Sequence, residues 1–223
     1  DTANALVECL MSRYSQHNTE LVDINNMRGS KMKYEFTKMQ GCGNDYIYFN
    51  CFTQDINNPE GLSVRLSDRH FGIGGDGVIL VCPSDVADAK MRMFNLDGSE
   101  GKMCGNGIRC VGKFLYDHNL VDQNKETVTV ETLSGIKTLK VYKQDNEVKR
   151  LRVDMGKVEL EPKNIPVAID TDKEKVVNET VTIDGVEYNI TCVSFGNPHC
   201  VVFIKDVEGL DIEKIGPKFE NSE

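Results

Sequence analysis

The chain has no run approaching the ~18 consecutive apolar residues of a membrane-spanning helix. It also has no charged start followed by an apolar stretch of the kind that directs secretion. Neither a membrane partner nor an export signal is therefore expected. Basic residues are in short supply: 26 Lys and Arg against 35 Asp and Glu leave a formal net charge of −9, and the 26 are dispersed. Phosphate backbones are held by clustered Lys and Arg, so nucleic acid is excluded as a partner. Cysteine pairs at C-x-x-C spacing are missing, and His17, His70, His118 and His199 are scattered. A structural zinc site needs such close pairs, so no metal is expected. The Gly-Lys-Ser/Thr ending of a phosphate loop is missing too. Gly72, Gly74 and Gly77 match G-x-G-x-x-G, but a strand follows them rather than a helix, which removes nucleotide binding.

What the chain does have is eight cysteines in 223 residues. In a short secreted chain they would read as a disulfide framework. This chain is long enough to bury a core without covalent staples, so a reducing cytoplasm fits better. The length suits one extended domain or two modest ones.

Residues 1–31 read as an N-terminal extension. Thr2 is placed to cap a short helix with Leu6 and Leu10, and Val7, Met11 and Tyr14, on adjacent stripes. Met27-Arg28-Gly29-Ser30 looks like a vector-derived leader, and Met32 is a plausible native start. From Lys33 onward the pattern is rich in strands: Tyr34 and Phe36, Tyr46 to Phe49, Val78 to Cys82 and Met91 to Phe94. Asn58-Pro59 is a cap and first-turn signal for a helix carrying Leu62 and Leu66. A second helix is expected after Gly107, with Ile108, Val111, Phe114 and Leu115 at helical spacing until Asn119. Strands return at Val128/Val130, Leu139/Val141 and Leu151/Val153. Val181 to Ile190 is split by the hairpin signal Asp184-Gly185, and Val201 to Ile204 reads as a fully buried strand. Many short strands and few helices, without a β-α-β rhythm, predict an α+β fold. The polar stretch Gln144 to Arg150 divides the remainder into a first domain, 32–149, and a second, 150–223.

The most informative stretch is Asn95-Leu96-Asp97-Gly98-Ser99-Glu100 followed by Cys104-Gly105-Asn106-Gly107-Ile108-Arg109-Cys110. It sets a cysteine just ahead of a helix. Glycines beside it leave backbone N–H groups unobstructed, and the helix directs its positive dipole end at the same spot. Such a place favours a thiolate and holds a substrate carboxylate on backbone amides. The ordinary alternative is a small buried cysteine next to a tight turn, which is the reading for Cys110 inside the helical run. Gly41-Cys42-Gly43-Asn44-Asp45, the Gly72 to Gly77 run and Gly196-Asn197-Pro198-His199 also border strands with Gly, Asn and Asp. Asn both donates to a carboxylate and accepts from an ammonium, which suits a zwitterionic amino acid, although turn chemistry favours the same residues. His199 is a candidate general base or thiol-tuning group.

Lys38-Met39-Gln40-Gly41-Cys42-Gly43-Asn44-Asp45, Arg69-His70-Phe71-Gly72-Ile73-Gly74-Gly75-Asp76-Gly77, the Asn95 to Cys110 stretch and Gly196-Asn197-Pro198-His199 together resemble the diaminopimelate epimerases, in family order. The resemblance covers residues 32 to about 204. It implies two pseudo-symmetric, strand-rich domains, each wrapped around a central helix, with the active site in the cleft between them. It implies interconversion of LL- and meso-diaminopimelate, a small-molecule amino-acid substrate, in lysine and peptidoglycan synthesis. Neither pyridoxal phosphate nor a metal would take part, and a homodimer is the family expectation. Carried across by motif, Cys104 matches a catalytic thiol and His199 a histidine that tunes the thiols. Gly105 and Asn106 match contacts to the substrate carboxylate. Asn44, Asn95 and Asn197 match further substrate ligands, and Asp45 a residue orienting His199 or its neighbours.

The implied chemistry removes the α-proton with a thiolate on one face and returns one from a thiol on the other. The carbanion would be stabilised by hydrogen bonds aimed from helix termini in a site closed to water. The family's second thiol belongs to an Ala-Cys-Gly-Thr-Gly element preceded by a Glu-Arg pair, neither of which occurs in these residues. The second domain is therefore expected to be truncated and this stretch alone to exchange a proton without inverting the centre. Rival expectations are a related cofactor-free racemase acting on another amino acid, and a non-catalytic binding or thiol module in which Cys104 responds to oxidation.

Overall fold

The computed structural model describes residues 6–10, 19–25, 31–165, 167 and 173–222, with side chains from Lys33 onward. It divides into two compact units, one from Leu6 to Met155 and one from Gly156 onward.

The first unit is a ten-stranded mixed sheet with two helices. The strands are β1 (Leu6–Leu10), β2 (Thr19–Asn25), β3 (Lys31–Gly41), β4 (Asn44–Asn50), β5 (Gly77–Cys82), β6 (Ala89–Asn95), β7 (Glu100–Gly101), β8 (Thr127–Thr132), β9 (Gly135–Gln144) and β10 (Glu147–Asp154). They lie in the order β1-β10-β9-β8-β6-β5-β4-β3-β2, with β7 paired to β6. Pairing is antiparallel except for β4 with β5 and β6 with β8. Those two parallel pairs are joined through the helices α1 (Pro59–Ser67) and α2 (Gly105–Asp117), as parallel connections require.

Each helix covers one face. Asn58 caps α1, its side chain accepting from the Gly61 amide at 3.2 Å, as the Asn-Pro signal predicts. Leu62 and Leu66 pack with Tyr34, Phe36, Ile47, Phe49, Val78, Leu80 and Phe94. The alternate residues of the same strands meet α2, and Tyr48 stacks on Phe114 with ring centroids 6.3 Å apart. From Gly107 to Tyr116 every residue of α2 is buried, the pattern of a helix enclosed on all sides rather than laid on a surface. Its neighbours include β3, β4, β8, β9 and β10. The sheet curls around α2, the strand-rich α+β arrangement expected of the first domain.

The second unit contains the antiparallel meander β11 (Glu179–Ile183), β12 (Val186–Ser194) and β13 (Pro198–Val202), and a helix α3 (Ile212–Glu220). Asp184 and Gly185 have φ of 53° and 79°, the doubly positive turn read from their sequence. Val176, Ile190 and Cys192 form a small core, and Phe219 of α3 meets Tyr188 edge-on at 5.0 Å.

Three expectations are corrected. The helix read at the N-terminus is a strand over Leu6–Leu10, paired with β10; Thr2, Met11 and Tyr14 lie outside the described residues. The ladder offered by β10 outweighs a local periodicity that marginal short helices rarely sustain alone. Val201 to Ile204 is not a fully buried strand: β13 ends at Val202 and Phe203 is 85% exposed. Helix α2 begins at Gly105, three residues earlier than its apolar periodicity suggests. Among the described residues no helix is long and apolar enough to cross a membrane.

Candidate functional site

Cys104 is the N-cap of α2. Its backbone is extended (φ −130°, ψ 113°), and its sulfur accepts from the Gly107 amide at 3.3 Å. A cap side chain that takes one orphan N–H leaves those of Gly105 and Asn106, on the first turn, without an intrahelical carbonyl. Those two donors and the dipole end mark an anion site at the sulfur. Cys104 is half-buried.

Strand β4 brings the second component. Asn44 begins it, and its Nδ2 donates to the Cys104 sulfur at 3.6 Å. Its Oδ1 is buried and has no hydrogen-bond partner, an acceptor that an ammonium group would satisfy. Two residues on, and so on the same strand face, the buried Tyr46 brings its hydroxyl near Cys104 and Asn44. Burial first, and then the adjacent sulfur, hold that phenol well above its ordinary range. It therefore stays protonated.

The approach of α2 to the end of β3 depends on a missing side chain. A Cβ on Gly41 would sit 2.9 Å from the Asn106 carbonyl oxygen. Arg109, one turn along α2, is buried and donates to Asn106 Oδ1 at 2.7 Å and to the Cys42 sulfur at 3.3 Å. Cys42 is disulfide-bonded, unlike Cys51, Cys82, Cys104, Cys110, Cys192 and Cys200, which are free. Cys110 is wholly buried, and burial pushes its thiol up to about 11 against the Tyr48 hydrogen bond. The burial expected for it is found.

The register aligns the motifs at one end of the sheet. Gly77 pairs with Asn95, Val78 with Ile47, and Gly41 with Asn44. Asn95 stands at the end of β6, its side chain donating to Ser99 Oγ at 3.0 Å within a turn. The Asp45 carboxylate pairs with Lys38 at 2.6 Å and with Arg69 at 2.7 Å. Although burial opposes it, hydrogen bonds from Arg69 and Lys38 bring the Asp45 carboxyl down to about 2. Arg69 also binds Asp76 at 2.9 Å, and Asp76 accepts from the Asp45 amide at 3.0 Å. This network ties the Asn44 turn to the Gly72–Gly77 loop.

The structure thus unites Asn44, Cys104, Gly105 and Asn106 at one helix mouth and places Asn95 at the same sheet end. Asn197 and His199 belong to the second unit, exposed at the bend before β13 and on it, where His199 pairs with Val193. Tyr46 and Arg109 are additions that sequence reasoning missed. The signal for Tyr46 was its period-2 relation to Asn44.

A buried helix inside a curled, strand-rich sheet is a fold shared with a solved hydroxyproline epimerase from Agrobacterium vitis, with bound trans-4-OH-L-proline. The likeness has a TM-score of 0.53 at 13% identity, over 81% of this chain and 52% of that one. The diaminopimelate epimerase family model matches residues 36–161. Diaminopimelate epimerases from Acetivibrio thermocellus, Agathobacter rectalis and Methanococcus maripaludis are 55%, 52% and 53% identical over 83–84% of the chain. The chain belongs to the diaminopimelate epimerase family. It spans 65% of the Acetivibrio protein and 67% and 66% of the other two, about two thirds of their length.

Proposed function

We propose that the protein inverts a carbon of diaminopimelate between the LL and meso forms, with Cys104 transferring the α-proton on one face. The observation that carries this reading is the sulfur at the mouth of α2, held by the Asn44 amide and the Gly107 N–H. The substrate carboxylate would sit on the Gly105 and Asn106 amides. Its α-ammonium would meet Asn44 Oδ1, the orphan acceptor beside the sulfur. Charge developing on the carboxylate during proton loss would then face donors already in place, which lowers the barrier without an electron sink. Asn95, Asn197 and His199 complete the set, the first two on the substrate and the histidine tuning thiol protonation. An opposing acid on the other face is needed for inversion, because one thiol returns its proton to the face it came from. A cytoplasmic homodimer goes with this reading.

The test is alkylation of Cys104 by iodoacetamide, followed by peptide mass, with and without LL-diaminopimelate. Protection by diaminopimelate, and loss of solvent-deuterium exchange at its α-carbon in Cys104→Ser, are expected. Alkylation at the same rate whatever amino acid is present would sink the assignment and leave a thiol module.

A further inference from the structure

A second pair of thiols lies at the other end of the same sheet. β4 and β5 run parallel with Asn50 opposite Val81, so the next residues, Cys51 and Cys82, are lateral neighbours facing the same way. The Cys51 amide donates to the Val81 carbonyl at 2.9 Å, which holds the register past the end of β4. Both side chains pack against the core cluster under α1, both are half-buried, and both are free. Each thiol acts electrostatically on the other, as side-by-side neighbours do. Neighbouring strands stand about 4.8 Å apart, within the Cα separation of about 4.4–6.8 Å that a disulfide accepts. Among the described residues no third His, Cys, Asp or Glu joins them to make a metal-holding cluster.

The pair is electrically unequal. The neighbouring Cys51 thiol, and after it the charges of Arg92 and Lys90, bring the Cys82 thiol down against the cost of burial. The neighbouring Cys82 thiol, and then burial, push Cys51 up. Lys90 is the antiparallel partner of Cys82 across β5 and β6. One sulfur is thus the nucleophile and the other the reserve thiol, the division of labour that dithiol exchange uses.

We propose that Cys51 and Cys82 are a redox-active dithiol that exchanges with low-molecular-weight disulfides and closes a Cys51–Cys82 bond. The Cys82 thiolate attacks one sulfur of the small disulfide, forming a mixed disulfide and expelling one thiolate. Cys51 loses its proton and attacks the Cys82 sulfur, expelling the second thiolate. The sum is two protein thiols and one small disulfide giving one protein disulfide and two small thiols, a two-electron oxidation. β4 starts beside Cys104 and the pair lies past its far end, seven strand rises or about 23 Å away. The site is therefore separate from Cys104.

The experiment treats the reduced protein with glutathione disulfide, blocks remaining thiols with iodoacetamide and maps peptides by mass without reduction. A peptide containing Cys51 joined to one containing Cys82 is expected, with loss of both from the alkylated pool and recovery after dithiothreitol. Cys51→Ser is expected to retain glutathione on Cys82. The neighbours Cys192 and Cys200, opposite each other on β12 and β13, are read from different peptides. Undiminished alkylation of Cys51 and Cys82 after treatment overturns the proposal, as does either one joined to any other cysteine. Because the mapping is decisive in the unaltered protein, a variant that misfolds leaves the outcome unchanged.

Discussion

Asn44 combines two roles that usually need two residues: its Nδ2 touches the sulfur and its Oδ1 stands buried without a donor. Tyr46 supports the same sulfur from the next position on that strand face. Replacing Tyr46 by Phe keeps the ring in its packed place and removes only the donor. Hydrogen bonds to charged groups are worth about 1.5–3 kcal/mol, so Cys104 alkylation at fixed pH should slow roughly tenfold in Tyr46→Phe while the melting temperature hardly moves. An unchanged rate would show that the hydroxyl does not serve the thiol. Asp45 gives a pH signature. Its folded value of about 2 lies below the unfolded ~3.9, so its ion pairs contribute fully above about pH 4 and are lost as pH falls through about 2. Allowing for solvent screening, the contribution is about 1 kcal/mol. Urea unfolding should find Asp45→Asn less stable than the native chain at pH 7, with the difference closing as pH falls through about 2. Cys104 and Asn44 were legible as candidates from composition and spacing. Tyr46 was not singled out, because a tyrosine in an apolar strand looks like core until its neighbour is known.

Among the elements, α1 was legible because Asn58-Pro59 is a strong start signal, whereas the start of α2 was placed late because cysteine is not a common cap. Only the folded backbone brings the Gly107 amide to the Cys104 sulfur. Helix α3 escaped notice for a related reason: Pro217 lies inside it, which argues against helix. Yet Asp211 caps the segment through the Lys214 amide at 3.2 Å. The pairing of β5 with β6 shows how far a glycine motif can be structural. A Cβ on Gly77 would lie 2.0 Å from the Phe94 carbonyl oxygen, a backbone atom with nowhere to move. Gly43 has φ of 84° and open space where a Cβ would stand, so only its backbone conformation resists substitution. Gly77→Ala should therefore cost more than about 3 kcal/mol and Gly43→Ala about 1 kcal/mol, measured by thermal melts. Equal losses would mean that the close approach of β5 and β6 relaxes easily.

At the scale of the molecule, the number of short strands and the poverty of helix announced a strand-rich α+β chain, but the strand order was not legible. Neighbours such as β1 with β10 are far apart in sequence, and a local pattern carries no information on which edge a strand joins. The same long-range pairing sets a gradient of stability. In the first unit, β4 and β5 are covered on both faces and α2 has ten consecutive buried residues. In the second, no residue of α3 is buried, and β13 is exposed or half-exposed throughout. Local opening is easiest where few apolar contacts must be broken. Amides of β4, β5 and α2 should thus exchange with solvent deuterium at least about a hundred times more slowly than those of β13 and α3, a gap of about 2.7 kcal/mol. Native-state hydrogen exchange resolved by peptide would read this directly. Uniform protection across both units would show that the chain opens only as a whole and that the buried helix does not set the order of unfolding.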